Sequence, residues 1–145
     1  NDGAAALLIA SESAIKEYKL TPLACILGSS SAGVNPDLMG IGPVPATQKL
    51  CARLNIDITE FDIFALNEVF AAQCITVLRE LNIPLDYAGL NQHGGGIAPG
   101  HPLGMSGERI IGSAACQLNK RITSQALCTM CVGVGQGVSM ALRSA

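Results

Sequence analysis

Hydrophobic and polar positions along the chain form blocks that predict short strands alternating with amphipathic helices. Residues 4–10 are uniformly apolar and predict a fully buried strand, after which Ser11 is placed to cap a helix over 12–19. Residues 23–30 predict a second strand, and its end at 29–33 (Ser-Ser-Ser-Ala-Gly) is a turn signal. The opening of the chain therefore reads strand, helix, strand.

The rest of the chain continues the same alternation. Further helices are predicted over 46–54, over 69–81 and from an expected N-cap at Ser106 onward. Further strands are predicted over 61–66, 125–132 and 137–143. This order is typical of an α/β fold with a mostly parallel sheet and helices on both faces. Because the last two strands are close enough to form an antiparallel hairpin, we expect a five-stranded mixed sheet.

Composition limits the classes of partner. The chain has 145 residues, 49% hydrophobic and 14% charged, which is enough for one domain with a substantial core. The net charge is −2 without a Lys/Arg cluster, and there are only three Phe, two Tyr and no Trp, so we expect no nucleic-acid partner. No apolar run approaches the roughly 20 residues of a membrane helix, so we expect no membrane partner.

The first residues already read as a structured element, so we expect that an N-terminal portion precedes Asn1 and that any targeting signal would lie there. The six cysteines lack the spacing of a disulfide scaffold, which favours a reducing compartment. We expect a cytoplasmic protein, with an organellar matrix left open. Cys128 and Cys131 form a C-x-x-C without a second ligand pair, and on a strand they would face opposite sides, so we expect no metal site.

Three loops after predicted strands carry side chains suited to proton transfer. His101 lies in a glycine- and proline-rich run over 93–107, directly before a helix, where an imidazole is well placed for acid–base chemistry. Asn67 follows one strand, and its amide can orient a water. Cys131 ends another, and a neighbour that lowers its pKa would make it an acid or base. Backbone N–H groups near Gly133 can stabilise an oxyanion. Each has an ordinary alternative: a helix cap, a core thiol or a simple turn.

Taken together, these segments resemble three C-terminal motifs of the thiolases. They are 67–71 (Asn-Glu-Val-Phe-Ala), 100–107 (Gly-His-Pro-Leu-Gly-Met-Ser-Gly) and 131–133 (Cys-Val-Gly). The opening 1–5 and the stretch 39–46 match as well, so the resemblance spans the whole chain. It implies a thiolase-like fold and a C-terminal domain over 1–145. The homologous N-terminal domain would hold the nucleophilic cysteine, which none of the six cysteines here matches.

The resemblance also implies roles, with acyl-CoA thioesters as substrates and no other cofactor. His101 would deprotonate the nucleophile and donate to one oxyanion hole, whose water Asn67 would hold. Cys131 would exchange the α-proton of the acetyl group. The Gly133 amide would help form a second oxyanion hole, and Phe70 would line the substrate pocket. The full-length protein would be a homodimer or homotetramer, and the domain alone, without its N-terminal domain, would be inactive.

The family's reactions leave alternatives open. Residues 70–73 and 105–107 favour an acetyl-CoA C-acetyltransferase, and the second possibility is a 3-ketoacyl-CoA thiolase of fatty-acid β-oxidation. Val69, Pro99 and Val134 depart from the commonest family residues, which leaves the acyl-chain preference undetermined. A non-catalytic assembly domain is a third possibility, although it need not retain all three reactive side chains. Cys131 argues against the related ketoacyl synthases, which normally carry histidine there.

Overall fold

The computed structural model describes residues 1–121 and 124–145. The helices are α1 (Glu12–Tyr18), α2 (Pro43–Leu54), α3 (Ala71–Glu80) and α4 (Ser106–Leu118), with 3₁₀ turns at Pro36–Ile41 and Ile58–Glu60. The strands are β1 (Ala24–Gly33), β2 (Ile63–Leu66), β3 (Gln125–Val132) and β4 (Gln136–Ser144). Every predicted helix is present, and Ser11 caps α1 by accepting from the Ala14 N–H at 3.2 Å. Helix α2 begins at Pro43, earlier than the predicted start at residue 46, because the fixed φ of proline suits the first turn of a helix.

Residues 4–10 do not form the predicted buried strand. They are extended and mostly exposed, with Leu8 at 82% and Ile9 at 66% of their full accessibility. A strand requires a neighbour that pairs its N–H and C=O groups, and no strand in the described ranges pairs with this segment. The mixed sheet therefore has four strands here rather than five.

The sheet has the order β1-β4-β3-β2, and only β2 and β3 run parallel. The prediction of a mixed sheet is confirmed, but the prediction that it is mostly parallel is wrong. The short turn after Val132 forces β4 to return antiparallel to β3, and β1 then pairs antiparallel with the free side of β4. The parallel pair arises because the long connection through α3 and α4 brings the chain back to the same end of the sheet.

Helices cover both faces of the sheet, as predicted. On one face, α2 and α3 pack against alternate strand residues in a cluster that includes Leu50, Val77, Phe64, Leu66 and Leu127. On the other face, α4 packs Ile110, Ala114 and Leu118 against Ile63, Ala65, Ala126, Cys128 and Leu142. Full burial of a side chain such as Leu118 stabilises the fold by about 1.5–3 kcal/mol. The two clusters fix the direction in which each strand residue points.

None of the helices in the described ranges is long and apolar enough to span a bilayer.

Candidate active site

The carboxyl ends of β2 and β3 meet at one edge of the sheet. Leu66 pairs with Thr129, and the Asn67 N–H donates to the Thr129 carbonyl at 3.0 Å. Cys131 lies two residues beyond Thr129 on the neighbouring strand. Asn67 and Cys131, distant in sequence, therefore both lie at the ends of neighbouring strands, the place where α/β sheets commonly build sites.

Asn67 contacts His101 directly. Its side chain is fully buried, at 0% exposure, and its Nδ2 lies 3.3 Å from His101 Nε2 and 3.5 Å from His101 Nδ1. The helix-cap interpretation of Asn67 is wrong, because α3 begins at Ala71 and Phe70 occupies its N-cap position. The Asn67 Oδ1 atom is buried and has no hydrogen-bond partner among the described residues. Burying a carboxamide in this way costs free energy that a bound polar group would recover.

The prediction that Ser106 caps α4 is wrong. Ser106 instead contacts the His101 ring. The N-cap position is Met105, and Ser106 is the first, fully buried residue of the helix. Its Oγ lies 2.6 Å from His101 Nδ1 and donates to the Pro102 carbonyl at 3.1 Å. Because the hydroxyl proton goes to Pro102, the oxygen accepts from the Nδ1–H. The network thus assigns Nε2 as the unprotonated nitrogen of the neutral ring, which accepts from Asn67.

Glycines allow the loop before His101 to approach the strand end closely. Gly100 has φ +95°, a left-handed conformation that precedes the imidazole directly. A Cβ on Gly96 would lie 2.7 Å from the Glu68 carbonyl oxygen and 3.2 Å from Asn67 Oδ1. The loop backbone is therefore packed against the residues that carry the site, and a side chain at Gly96 would push it away.

Cys131 reaches the same edge from the other face of the sheet. Strand alternation places it with Leu127 and Thr129 on the side of α2 and α3, whereas Cys128 packs against α4. Burial raises the pKa of the half-buried Cys131 thiol, and a bond from its own backbone N–H offsets only part of this. The lowered pKa that would make Cys131 a ready base is thus not produced within the described chain. At neutral pH the group is a protonated thiol.

Gly133 and Phe70 flank this edge on its solvent side. Gly133 lies in the turn between β3 and β4 with φ +57°, two residues after Cys131. Phe70 is 60% exposed at the start of α3, three residues after Asn67. Their expected roles in an oxyanion hole and in the substrate pocket stay predictions.

Two contacts of the site were not anticipated from the sequence. The Glu68 carboxylate accepts from Asn91 Nδ2 at 2.6 Å and from the Ile97 N–H at 3.1 Å. Asn91 lies 23 residues away from Glu68 in the sequence. The one available signal was its place at the start of the glycine run, where the loop has to be anchored.

The comparisons identify the family. The thiolase C-terminal domain model matches residues 20–144. A beta-ketoadipyl-CoA thiolase of Pseudomonas putida is 54% identical over 98% of this chain and 36% of its own length. The crystal structure of human mitochondrial 3-ketoacyl-CoA thiolase superposes with a TM-score of 0.88 at 40% identity, covering 94% of this chain and 34% of that one. The crystal structure of the Bacillus anthracis acetyl-CoA acetyltransferase superposes with a TM-score of 0.86 at 40% identity, covering 93% of this chain and 34% of that one.

The chain belongs to the thiolase family and matches its C-terminal domain, which confirms the resemblance of the motifs. It spans about a third of the length of the curated relatives it matches. What the complete protein does is therefore a matter for proposal.

Proposed function

We propose that this chain is the catalytic C-terminal domain of an acyltransferase that cleaves 3-oxoacyl-CoA thioesters, or forms them by condensation. The observation that carries the proposal is the contact between Asn67 and His101, with Cys131 at the adjoining strand end. In this proposal the imidazole and the carboxamide, which are in contact, load the acyl group. The Cys131 thiol, at the same edge but on the other face of the sheet, would protonate the α-carbon.

His101 acts first. Its Nε2 takes the proton of the nucleophilic cysteine, which the family resemblance places in the N-terminal domain, and the resulting Nε2–H donates to the thioester oxyanion. Because Ser106 Oγ accepts from the Nδ1–H, Nε2 is the nitrogen that would receive the proton. The buried, unpartnered Asn67 Oδ1 is the group available to hold the water of this oxyanion hole.

Cys131 acts on the carbon–carbon bond. In cleavage, the cysteine thiolate attacks the 3-oxo carbon, the bond between the α- and 3-carbons breaks, and its electrons pass to the acetyl-CoA enolate. The Cys131 thiol gives its proton to that α-carbon, and the incoming coenzyme A thiol returns a proton to Cys131 as it takes the acyl group. Because burial raises its pKa, Cys131 rests in the protonated state that cleavage needs. The Gly133 amide stabilises the oxyanion that forms on the 3-oxo carbon when the thiolate attacks it, and Phe70 contacts the acyl chain.

The relatives support a particular substrate class. Two of them at 54% identity are a beta-ketoadipyl-CoA thiolase and a 3-oxoadipyl-CoA/3-oxo-5,6-dehydrosuberyl-CoA thiolase of Escherichia coli. We therefore propose a 3-oxoacyl-CoA with a terminal carboxylate as the first substrate. Acetyl-CoA C-acetyltransferase activity is the second candidate, favoured by the motif residues 70–73 and the 40% identity with the Bacillus anthracis enzyme.

The whole protein would work as a homodimer or homotetramer in the cytoplasm, with its N-terminal domain completing the site. Acetyl-CoA release by the full-length protein from 3-oxoadipyl-CoA, acetoacetyl-CoA and 3-oxohexadecanoyl-CoA tests the proposal. We expect the full-length protein to have its highest kcat/KM for 3-oxoadipyl-CoA. We expect the domain over 1–145 alone to show no cleavage. If the full-length protein cleaved none of the three substrates, the proposed function would be refuted. A preference for acetoacetyl-CoA would favour the second candidate.

A further inference from the structure

Asn91 extends the outer edge of β2 with its side chain. Its N–H donates to the Phe64 carbonyl at 2.8 Å, which continues a short parallel bridge between Phe64 and Leu90. Its Oδ1 then accepts from the Leu66 N–H at 2.9 Å, and its Nδ2 donates to the Leu66 carbonyl at 2.9 Å. The carboxamide thus replaces the backbone of a fifth strand at the last residue before Asn67. Asn91 adopts φ +42° to make these bonds.

Glu68 ties the next part of the loop to the same place. One carboxylate oxygen accepts from Asn91 Nδ2 and the other from the Ile97 N–H, on either side of the glycines at 94–96. Hydrogen bonds to an ionised acceptor are about twice as strong as neutral ones. The glycine run is therefore held at both ends by the residue that follows Asn67.

The clamp acts on the imidazole through a short tether. Only residues 98–100 separate the bonded Ile97 amide from His101, so movement of the loop at Ile97 moves the ring relative to Asn67. We propose that Glu68 and Asn91 are positioning residues that set the contact between His101 and Asn67. Neither reaches the reacting atoms. This inference rests on the proposed function for its kinetic consequence, but the clamp itself can be measured without any reaction.

Graded substitutions of Glu68 in the full-length protein test the proposal. Glu68→Ala removes both acceptors, and we expect kcat for cleavage to fall about 10- to 100-fold, since two charge-assisted bonds are lost. Glu68→Gln keeps an oxygen for the Ile97 N–H, so it should recover part of this loss. KM should change less than threefold, because the clamp is proposed to act on the orientation of the imidazole and not on substrate binding. Should Glu68→Ala fail to fold, Glu68→Gln still provides the test.

Asn91 has a matched control in Asn82. Both residues are in the left-handed region, with φ +42° and +56°, and Asn82 is exposed, with no side-chain hydrogen bond to the described residues. Glycine relieves the backbone at either position, so Asn91→Gly and Asn82→Gly differ in the side-chain bonds that are lost. We expect Asn91→Gly to lower kcat about tenfold and Asn82→Gly to leave it unchanged.

Amide hydrogen exchange separates this inference from the proposed function. The Ile97 amide should exchange faster in Glu68→Ala and Asn91→Gly than in the wild-type protein, whether or not the protein is active. Wild-type kcat in Glu68→Ala, or equal kcat losses in Asn91→Gly and Asn82→Gly, would overturn the positioning role. An inactive wild-type protein would refute the proposed function, and unchanged Ile97 exchange would then independently refute the clamp.

Discussion

Removal of the Ser106 hydroxyl tests the assignment of the His101 tautomer. In Ser106→Ala, the Nδ1–H of His101 loses the acceptor that lies 2.6 Å away, and the Pro102 carbonyl loses a donor. Ser106 is fully buried, so bulk water does not directly replace the hydroxyl. We expect the neutral ring to lose its fixed orientation and its preference for an unprotonated Nε2.

The magnitude follows from the burial of these groups. An unsatisfied buried donor costs about 1–3 kcal/mol. Alanine favours a helix by about 0.5 kcal/mol relative to serine, which offsets a small part of the loss. We expect the free energy of unfolding to fall by about 1–2 kcal/mol. If the full cost of the unpaired donor appears in the acyl-loading transition state, the loading rate falls about 5- to 150-fold.

The assay is single-turnover acylation of the full-length protein, together with urea denaturation. Ser113→Ala is the control, since Ser113 lies on the same helix and its hydroxyl bonds to none of the described residues. We expect Ser113→Ala to acylate at the wild-type rate. Loading by Ser106→Ala within twofold of the wild-type rate would show that the hydroxyl does not fix the tautomer.

Three further outcomes are expected in the full-length protein. Cys131→Ser should retain acyl loading but slow the carbon–carbon step, since a hydroxyl is a far weaker acid; equal losses in both half-reactions, measured by rapid quench, would contradict this. Gly96→Ala should lower the free energy of unfolding in urea by about 1–3 kcal/mol, because its methyl group would meet the Glu68 carbonyl, and unchanged stability would contradict that packing. Burial raises the pKa of Cys74 to about 11 and of Cys128 to about 12, from 9.0. The unfolded chain therefore loses these protons first, and stability should fall as the pH rises from about 9 towards 11; a Cys74→Ala variant with an equally steep decline would exclude that thiol as a cause.

Local periodicity was sufficient to predict the helices, and it was sufficient to predict the strands that pair with another strand in the sheet. Ile110, Ala114 and Leu118 follow helical spacing, and all three are buried in α4 at 5% exposure or less. Residues 4–10 show the limit of that method. An apolar run of this kind forms a strand only if another strand pairs with its edge and another element packs against its face. Neither condition can be read from the segment itself.

The sequence was sufficient to predict which residues belong to the site, but not the hydrogen bonds that hold them. The motifs indicated His101 and Asn67, and the structure brings the two into contact. Ser106 was misinterpreted because a serine at a helix start is most often a cap, and only the fold of the preceding loop turns its hydroxyl to the imidazole. The bond between Glu68 and Asn91 depends on a loop that returns to β2, which no spacing in the sequence reveals.

The edge formed by β2 and β3 carries two features that cost free energy. Asn67 buries a carboxamide oxygen without a partner among the described residues, and Asn91 adopts a left-handed conformation beside it. Each departure costs free energy that an apolar or relaxed alternative would save. Such costs persist where function requires the geometry. Asn67 contacts the His101 imidazole, and Asn91 bonds to Leu66, the residue before Asn67. Both features therefore favour this edge over the exposed surfaces of the domain as the place of the proposed chemistry.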